Sequence, residues 1–155
     1  MKVSVVIPVF NVARFLPACL DSLLAQTFAD WTCLLVDDGS TDGSAEICLR
    51  YAARDPRMVV RHATNGGAYA ARAVGLAAAE DEAVYFCDAD DILHPELLAT
   101  LVSALESTAA DFAYVDADEC AVCRLAYTSS SYSKDSCNLP EGPLPLWLPR
   151  QPAQS

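Results

Sequence analysis

Thr32-Cys-Leu-Leu-Val-Asp-Asp-Gly-Ser-Thr-Asp-Gly-Ser44 is the stretch that decides the fold. Residues 32–36 are apolar without alternation, as a strand buried on both faces should be. Residues 38–43 supply the Asp, Gly, Ser and Thr of a turn. A helical pattern follows over 44–53. The same unit recurs in both directions along the chain. Further strands are expected at 3–8, 58–62, 83–87 and 112–115, each apolar and rich in β-branched or aromatic residues. The first intervening helix carries Phe15, Leu16, Cys19, Leu20, Leu23 and Leu24 at helical spacing, with Asp21 and Gln26 on its other side. Pro17 must lie in its first turn, which predicts a start near Ala13 or Arg14. Residues 69–79 form an alanine-rich third helix, and a fourth runs from Pro95 to about Glu106. Alternation of this kind implies a parallel, doubly wound α/β sheet.

Composition narrows the function. The 155 residues carry 10 Lys+Arg and 21 Asp+Glu, a net charge of −11. That acidity excludes nucleic acid as a partner, since binding to phosphate backbones needs clustered cations. A hydrophobic share of 53% fits one folded domain and not a disordered chain. No apolar run approaches the roughly 18 residues of a membrane span. The chain opens straight into strand-like residues with no signal-peptide pattern, so a cytoplasmic location is expected. Seven cysteines, most of them in apolar runs, suit free thiols in a reducing compartment. Cys120 and Cys123 form a C-x-x-C that lacks the second pair or nearby His of a zinc site.

Residues 120–155 differ in character. They hold five of the nine prolines and three of the seven cysteines, and their three basic and two acidic residues leave −12 on the first 119. Two units are therefore expected: a folded domain over 1–119 and an irregular Ser/Pro/Cys-rich tail over 120–155.

Ligands of open α/β sheets bind beyond the C-terminal strand ends. Four such ends here are polar or glycine-rich: Pro8-Val9-Phe10-Asn11, Asp37-Asp38-Gly39-Ser40, Asn65-Gly66-Gly67 and Asp88-Ala89-Asp90-Asp91. Each alone reads as a solvated turn, and Asp90 or Asp91 could simply cap the next helix. Together they point to one site. Three aspartates within four positions repel one another unless a cation offsets them, and oxygen ligands suit Mg²⁺ or Mn²⁺. Arg72 reads either as a solvated charge or as a phosphate contact.

These residues carry a resemblance. Val3-Ser-Val-Val-Ile-Pro-Val-Phe-Asn11, Cys19-Leu-Asp-Ser-Leu-Leu-Ala-Gln-Thr-Phe28, Leu35-Val-Asp-Asp-Gly-Ser-Thr-Asp-Gly-Ser44, Asn65-Gly-Gly-Ala-Tyr-Ala-Ala-Arg-Ala-Val-Gly75 and Phe86-Cys-Asp-Ala-Asp-Asp91 resemble, in order, the motifs of family 2 glycosyltransferases over about residues 1–118. The resemblance implies a GT-A (Rossmann-like) fold, an open, mostly parallel sheet flanked by helices, here truncated after the fifth strand. It also implies an inverting, metal-dependent transfer from a nucleotide-diphosphate sugar, a UDP-sugar foremost. The acceptor would be a glycan or a lipid-linked molecule, the latter met by peripheral membrane association.

By the same resemblance Pro8, Val9 and Phe10 line the nucleoside pocket, with Asn11 beside them. Asp38 meets the base edge, and Asn65, Gly66 and Gly67 approach the donor. Arg72 lies near the phosphates or sugar. Asp88 faces the ribose or sugar, with Ala89 among the donor-binding residues beside it, and Asp90 binds Mn²⁺ or Mg²⁺, with Asp88 as a second candidate ligand. Two departures stand out. Ala73 occupies a position where the family commonly has Asn, and nothing after Asp118 resembles the acceptor half with its carboxylate base. The late carboxylates Asp116, Asp118, Glu119, Asp135 and Glu141 are the remaining base candidates. A reading-frame change would leave such a tail.

Two other readings use the same acids. A phosphoryl-transfer enzyme fits less well: a haloacid-type phosphatase places its acidic motif after the first strand, and a receiver domain needs a Lys where none lies between Lys2 and Lys134. A nucleotide-binding chain without turnover fits every motif quoted.

Overall fold

The computed structural model describes residues 1–108, 110–114, 117–119 and 124–126. The elements in chain order are β1 (Val3–Val9), α1 (Leu16–Leu24), β2 (Trp31–Asp37), α2 (Ser44–Ala52), β3 (Met58–His62), α3 (Gly67–Ala78), β4 (Ala83–Phe86), β5 (Asp91–Leu93), α4 (Leu97–Thr108), β6 (Ala117–Glu119) and β7 (Arg124–Ala126). The main sheet has the order β3-β2-β1-β4, and all its pairings are parallel. β1 is thus central, with β2 and β4 on its flanks.

Strand alternation divides the core in two. Val3, Val5, Ile7 and Val9 enter the larger cluster, where Leu16, Cys19, Leu20 and Leu23 of α1 meet Cys48 and Tyr51 of α2 and Leu97, Leu98, Leu101 and Val102 of α4. Val6 enters the smaller one with Leu34, Val36 and Ala71. α3 covers this second face closely, because Gly75 faces the sheet without a side chain. A Cβ there would stand 2.3 Å from Val6 Cγ1 and 3.2 Å from Val36 Cγ2. No larger residue fits without separating helix and sheet.

Cys19, Cys33, Cys48 and Cys87 are buried free thiols, as the apolar runs around them predict. Burial pushes the Cys48 thiol up to about 12, so it stays neutral and packs as a small hydrophobe. Among the described residues no helix is long and apolar enough to cross a membrane.

Several expected boundaries move. α1 begins at Leu16 and not at residue 13 or 14, because Val12 O first accepts the amides of both Phe15 and Leu16 in a tight turn. Gln26 is not on a solvated side. It is buried beyond α1, where Nε2 donates to His94 O at 2.6 Å and Oε1 accepts Leu98 N–H at 3.0 Å. Asp90 and Asp91 do not cap α4, since β5 intervenes before the helix starts at Leu97. Residues 112–114 of the expected fifth strand form no ladder, and Phe112 and Tyr114 are exposed. Instead β5 pairs in parallel with β7, which pairs antiparallel with β6. Arg124–Ala126 thus forms strand within the stretch expected to be irregular, where β5 offers unpaired backbone groups that need partners. The Cys120–Cys123 pair, Val115, Asp116 and residues 127–155 lie outside the described residues.

Candidate functional site

The C-terminal ends of four parallel strands meet at one edge of the main sheet, as the topology requires. β1 runs out into Phe10 and Asn11, which are exposed. Pro8 is half-buried just before them. Val9 is fully buried in the core, so it offers that surface backbone only, its carbonyl accepting Asp38 N–H at 2.9 Å.

Asn11 takes a left-handed backbone (φ 52) and is held by the β2–α2 loop. Its Oδ1 accepts Thr41 N–H at 2.8 Å, and its own N–H donates to Ser40 Oγ at 3.2 Å. Asp42 completes this clamp. Its Oδ2 accepts Ala13 N–H at 2.9 Å, and its Oδ1 accepts the Ser44 hydroxyl at 2.6 Å and amide at 3.0 Å. The Ser44 hydroxyl, and then the Ala13 amide, hold the Asp42 carboxyl below the usual carboxylate range. Asn11 therefore spends its side chain on shaping the β1 loop. The quoted motif shows Asp42 as a turn residue and Ser44 as the start of a helix; that they reach back to a loop some thirty positions earlier appears only in three dimensions.

Asp38 lies beside β1 on the β2 side and is 1% exposed. Its Oδ1 accepts Gly66 N–H at 2.9 Å and its Oδ2 accepts Gly67 N–H at 2.7 Å. The carboxylate thereby fixes the start of α3, where a negative charge is favoured. Gly67 has φ 84, open only to glycine at no steric cost, and Asn65 just before has φ 42. Asp37, which the sequence placed at this strand end without a role of its own, accepts Ser40 N–H on Oδ1 at 3.1 Å and has Oδ2 3.6 Å from His62 Nδ1.

On the other flank of β1, Asp88 begins a tight turn closed by Asp91 N–H donating to Asp88 O at 3.1 Å. Asp88 is half-buried and its Oδ1 pairs with Arg72 Nη2. Ala89 points into the core, and Asp90 projects to solvent. Beneath the turn, the Cys87 thiol donates to the Asp88 carbonyl at 3.3 Å. Asp38 and the Asp88–Asp90 turn thus flank the end of β1, joined across it by α3 through Gly66, Gly67 and Arg72. The side chains of the base candidates Asp116, Asp118, Glu119, Asp135 and Glu141 lie outside the described part of the structure. A separate apolar cleft along β4, between Leu98 and Leu101 of α4 and Phe112, has Asp111 as its one charge among the described residues and lies away from these strand ends.

Among the described residues no three His, Cys, Asp or Glu side chains converge as a closed metal cage. The donor set at the Asp88–Asp90 turn is carboxylate oxygen alone. It fits a hard cation held by one or two protein ligands, with the rest of its shell filled by water and a bound diphosphate.

The sequence model of Glycosyl transferase family 2 matches residues 4–146, which extends past the 1–118 of the resemblance. Glycosyltransferase GlyG of Streptococcus pneumoniae serotype 4 is 38% identical over 110 residues, covering 70% of this chain and 36% of the relative. Among solved structures, S. aureus TarS 1-349 in complex with UDP-GlcNAc superposes with a TM-score of 0.67 at 31% identity, over 72% of this chain and 33% of that one. Mannosyltransferase PcManGT from Pyrobaculum calidifontis, in complex with GDP-Man and Mn²⁺, gives 0.61 at 26% identity, over 71% and 34%. The chain spans about a third of the length of each of these relatives.

Proposed function

This chain belongs to glycosyl transferase family 2, and we propose that it is the donor side of an inverting, metal-dependent sugar transfer from a UDP-sugar to a hydroxyl of a glycan or lipid-linked acceptor. The observation that carries this reading is the convergence of Phe10, Asn11, Gly66, Gly67, Asp88 and Asp90 at one sheet edge on both sides of β1. A nucleoside fits against Pro8 and Phe10, the latter residue being 46% exposed and its ring a surface for stacking. Asp88 keeps one carboxylate oxygen beyond its pairing with Arg72, able to accept a ribose hydroxyl. Asp90, with Asp88 as the second candidate, would hold Mn²⁺ or Mg²⁺. The cation supplies charge neutralisation for a departing nucleotide diphosphate. TarS, crystallised with UDP-GlcNAc, supports a UDP-sugar as donor.

Residues 1–119 form this donor unit in our reading. Inverting transfer also needs a base for the acceptor hydroxyl, and no described side chain at the sheet edge takes that role. Purified 1–155 should therefore bind UDP and UDP-sugars but transfer sugar about 10²- to 10⁴-fold more slowly than a relative such as GlyG, the range that general-base help spans. Assays with UDP-GlcNAc, UDP-glucose and UDP-galactose and mixed glycan acceptors test this. Transfer at the relative's rate would place a base among Asp116, Asp118, Glu119, Asp135 and Glu141. Absence of any nucleotide binding would overturn the donor reading.

A further inference from the structure

Arg72 is the one charged residue of α3, whose sequence is otherwise Gly, Ala, Val, Leu and Tyr. Three features fix where it points. Asp38 pins the helix start through Gly66 and Gly67. Gly75, one turn beyond Arg72 and on the same side of the helix, is pressed against Val6 and Val36. The guanidinium then donates from Nη2 to Asp88 Oδ1, with the Arg72 side chain only 18% exposed and its Nε buried without a hydrogen-bond partner. An arginine held this way has its charge committed to a carboxylate of the protein. It also offsets the repulsion among Asp88, Asp90 and Asp91 before any cation arrives.

We infer that Arg72 is a positioning residue, which holds Asp88 so that the carboxylate's other oxygen meets the ribose hydroxyls of the donor, and that it does not bind the diphosphate. This rests on the reading of the sheet edge as a nucleotide-donor site. A guanidinium that engages one carboxylate oxygen through Nη2 suits the task, since it anchors Asp88 by a charge-assisted bond and leaves the other oxygen open.

Two ligands separate the alternatives, UDP and 2′,3′-dideoxy-UDP, titrated into wild-type, Arg72→Met, Arg72→Lys, Asp88→Asn and Arg72→Met/Asp88→Asn chains with Mg²⁺ present. Arg72→Met is expected to weaken UDP about tenfold, the order lost with a hydrogen bond to a charged group, and to leave dideoxy-UDP unchanged. Arg72→Lys should recover part of the loss. The double variant should bind UDP no more weakly than Asp88→Asn alone, because both substitutions remove one interaction. Equal weakening of UDP and dideoxy-UDP would overturn the assignment, whether the cause were a phosphate contact or a loosened fold. Losses that multiply in the double variant would overturn it too. A wild-type chain that binds neither nucleotide would overturn the donor reading itself, and this assignment with it.

Discussion

Asp90→Ala should erase the gain in UDP affinity that Mn²⁺ gives the wild-type chain. Asp90 projects to solvent from the turn that follows β4, and among the described residues its carboxylate makes no hydrogen bond or ion pair that its loss would disturb. Fold and metal-free nucleotide affinity should therefore survive the substitution. Loss of partners one shell further out already costs metal sites about 10- to 100-fold in affinity or activity, and loss of a ligand should cost at least as much. Isothermal titration of UDP with Mn²⁺ and with EDTA, for both proteins, gives the comparison. The wild type should tighten on metal addition and the variant should not. Equal tightening in both would remove Asp90 from the metal site.

Asp38→Asn has a different signature, loss of stability together with loss of binding. The side chain is buried and each oxygen accepts one backbone amide of the Gly66–Gly67 pair. Asparagine keeps one acceptor and turns an NH₂ toward the second N–H, so one charge-assisted bond is lost and one donor is left unsatisfied. That costs about 2–3 kcal/mol, or a fall in Tm of roughly 4–12 °C for a domain of this size. UDP should bind more weakly in EDTA as well, because the glycine loop and the start of α3 shift. An unchanged Tm accompanied by altered preference between UDP and CDP would mean that Asp38 reads the base directly, the role implied by the family resemblance.

The fold was legible because parallel strands buried on both faces leave unbroken apolar runs, and because Pro17 and Pro95 punctuate the helices. The failures share a cause: they depend on what lies opposite a residue. Gln26 has the polarity of a surface residue, yet it is buried because His94 O and Leu98 N–H lie within its reach. Residues 112–115 have strand composition, but in 112–114 no neighbour accepts the ladder, whereas β5 pairs with Arg124–Ala126 from a stretch without strand character. At the site, strand-end chemistry pointed to the sheet edge where the fold places Asp38, Gly66, Gly67 and Asp88 around the end of β1. Val9 points inward with Val3, Val5 and Ile7, which a strand apolar on both faces does not reveal, and the tight turn after β4 hid the inward direction of Ala89. No spacing reveals that Asp38 is spent on Gly66 and Gly67, or that Arg72 crosses to Asp88.

The central claim is that a nucleotide donor sits over the C-terminal end of β1, between the Asp38 and Asp88 flanks. Amide chemical-shift mapping of the ¹⁵N-labelled chain during titration with UDP and Mg²⁺ tests it most directly. The account predicts shifts concentrated at Phe10, Asn11, Gly39, Gly66, Gly67, Asp88 and Asp90. Shifts confined to the apolar cleft along β4 and α4, or none at saturating UDP, would contradict it.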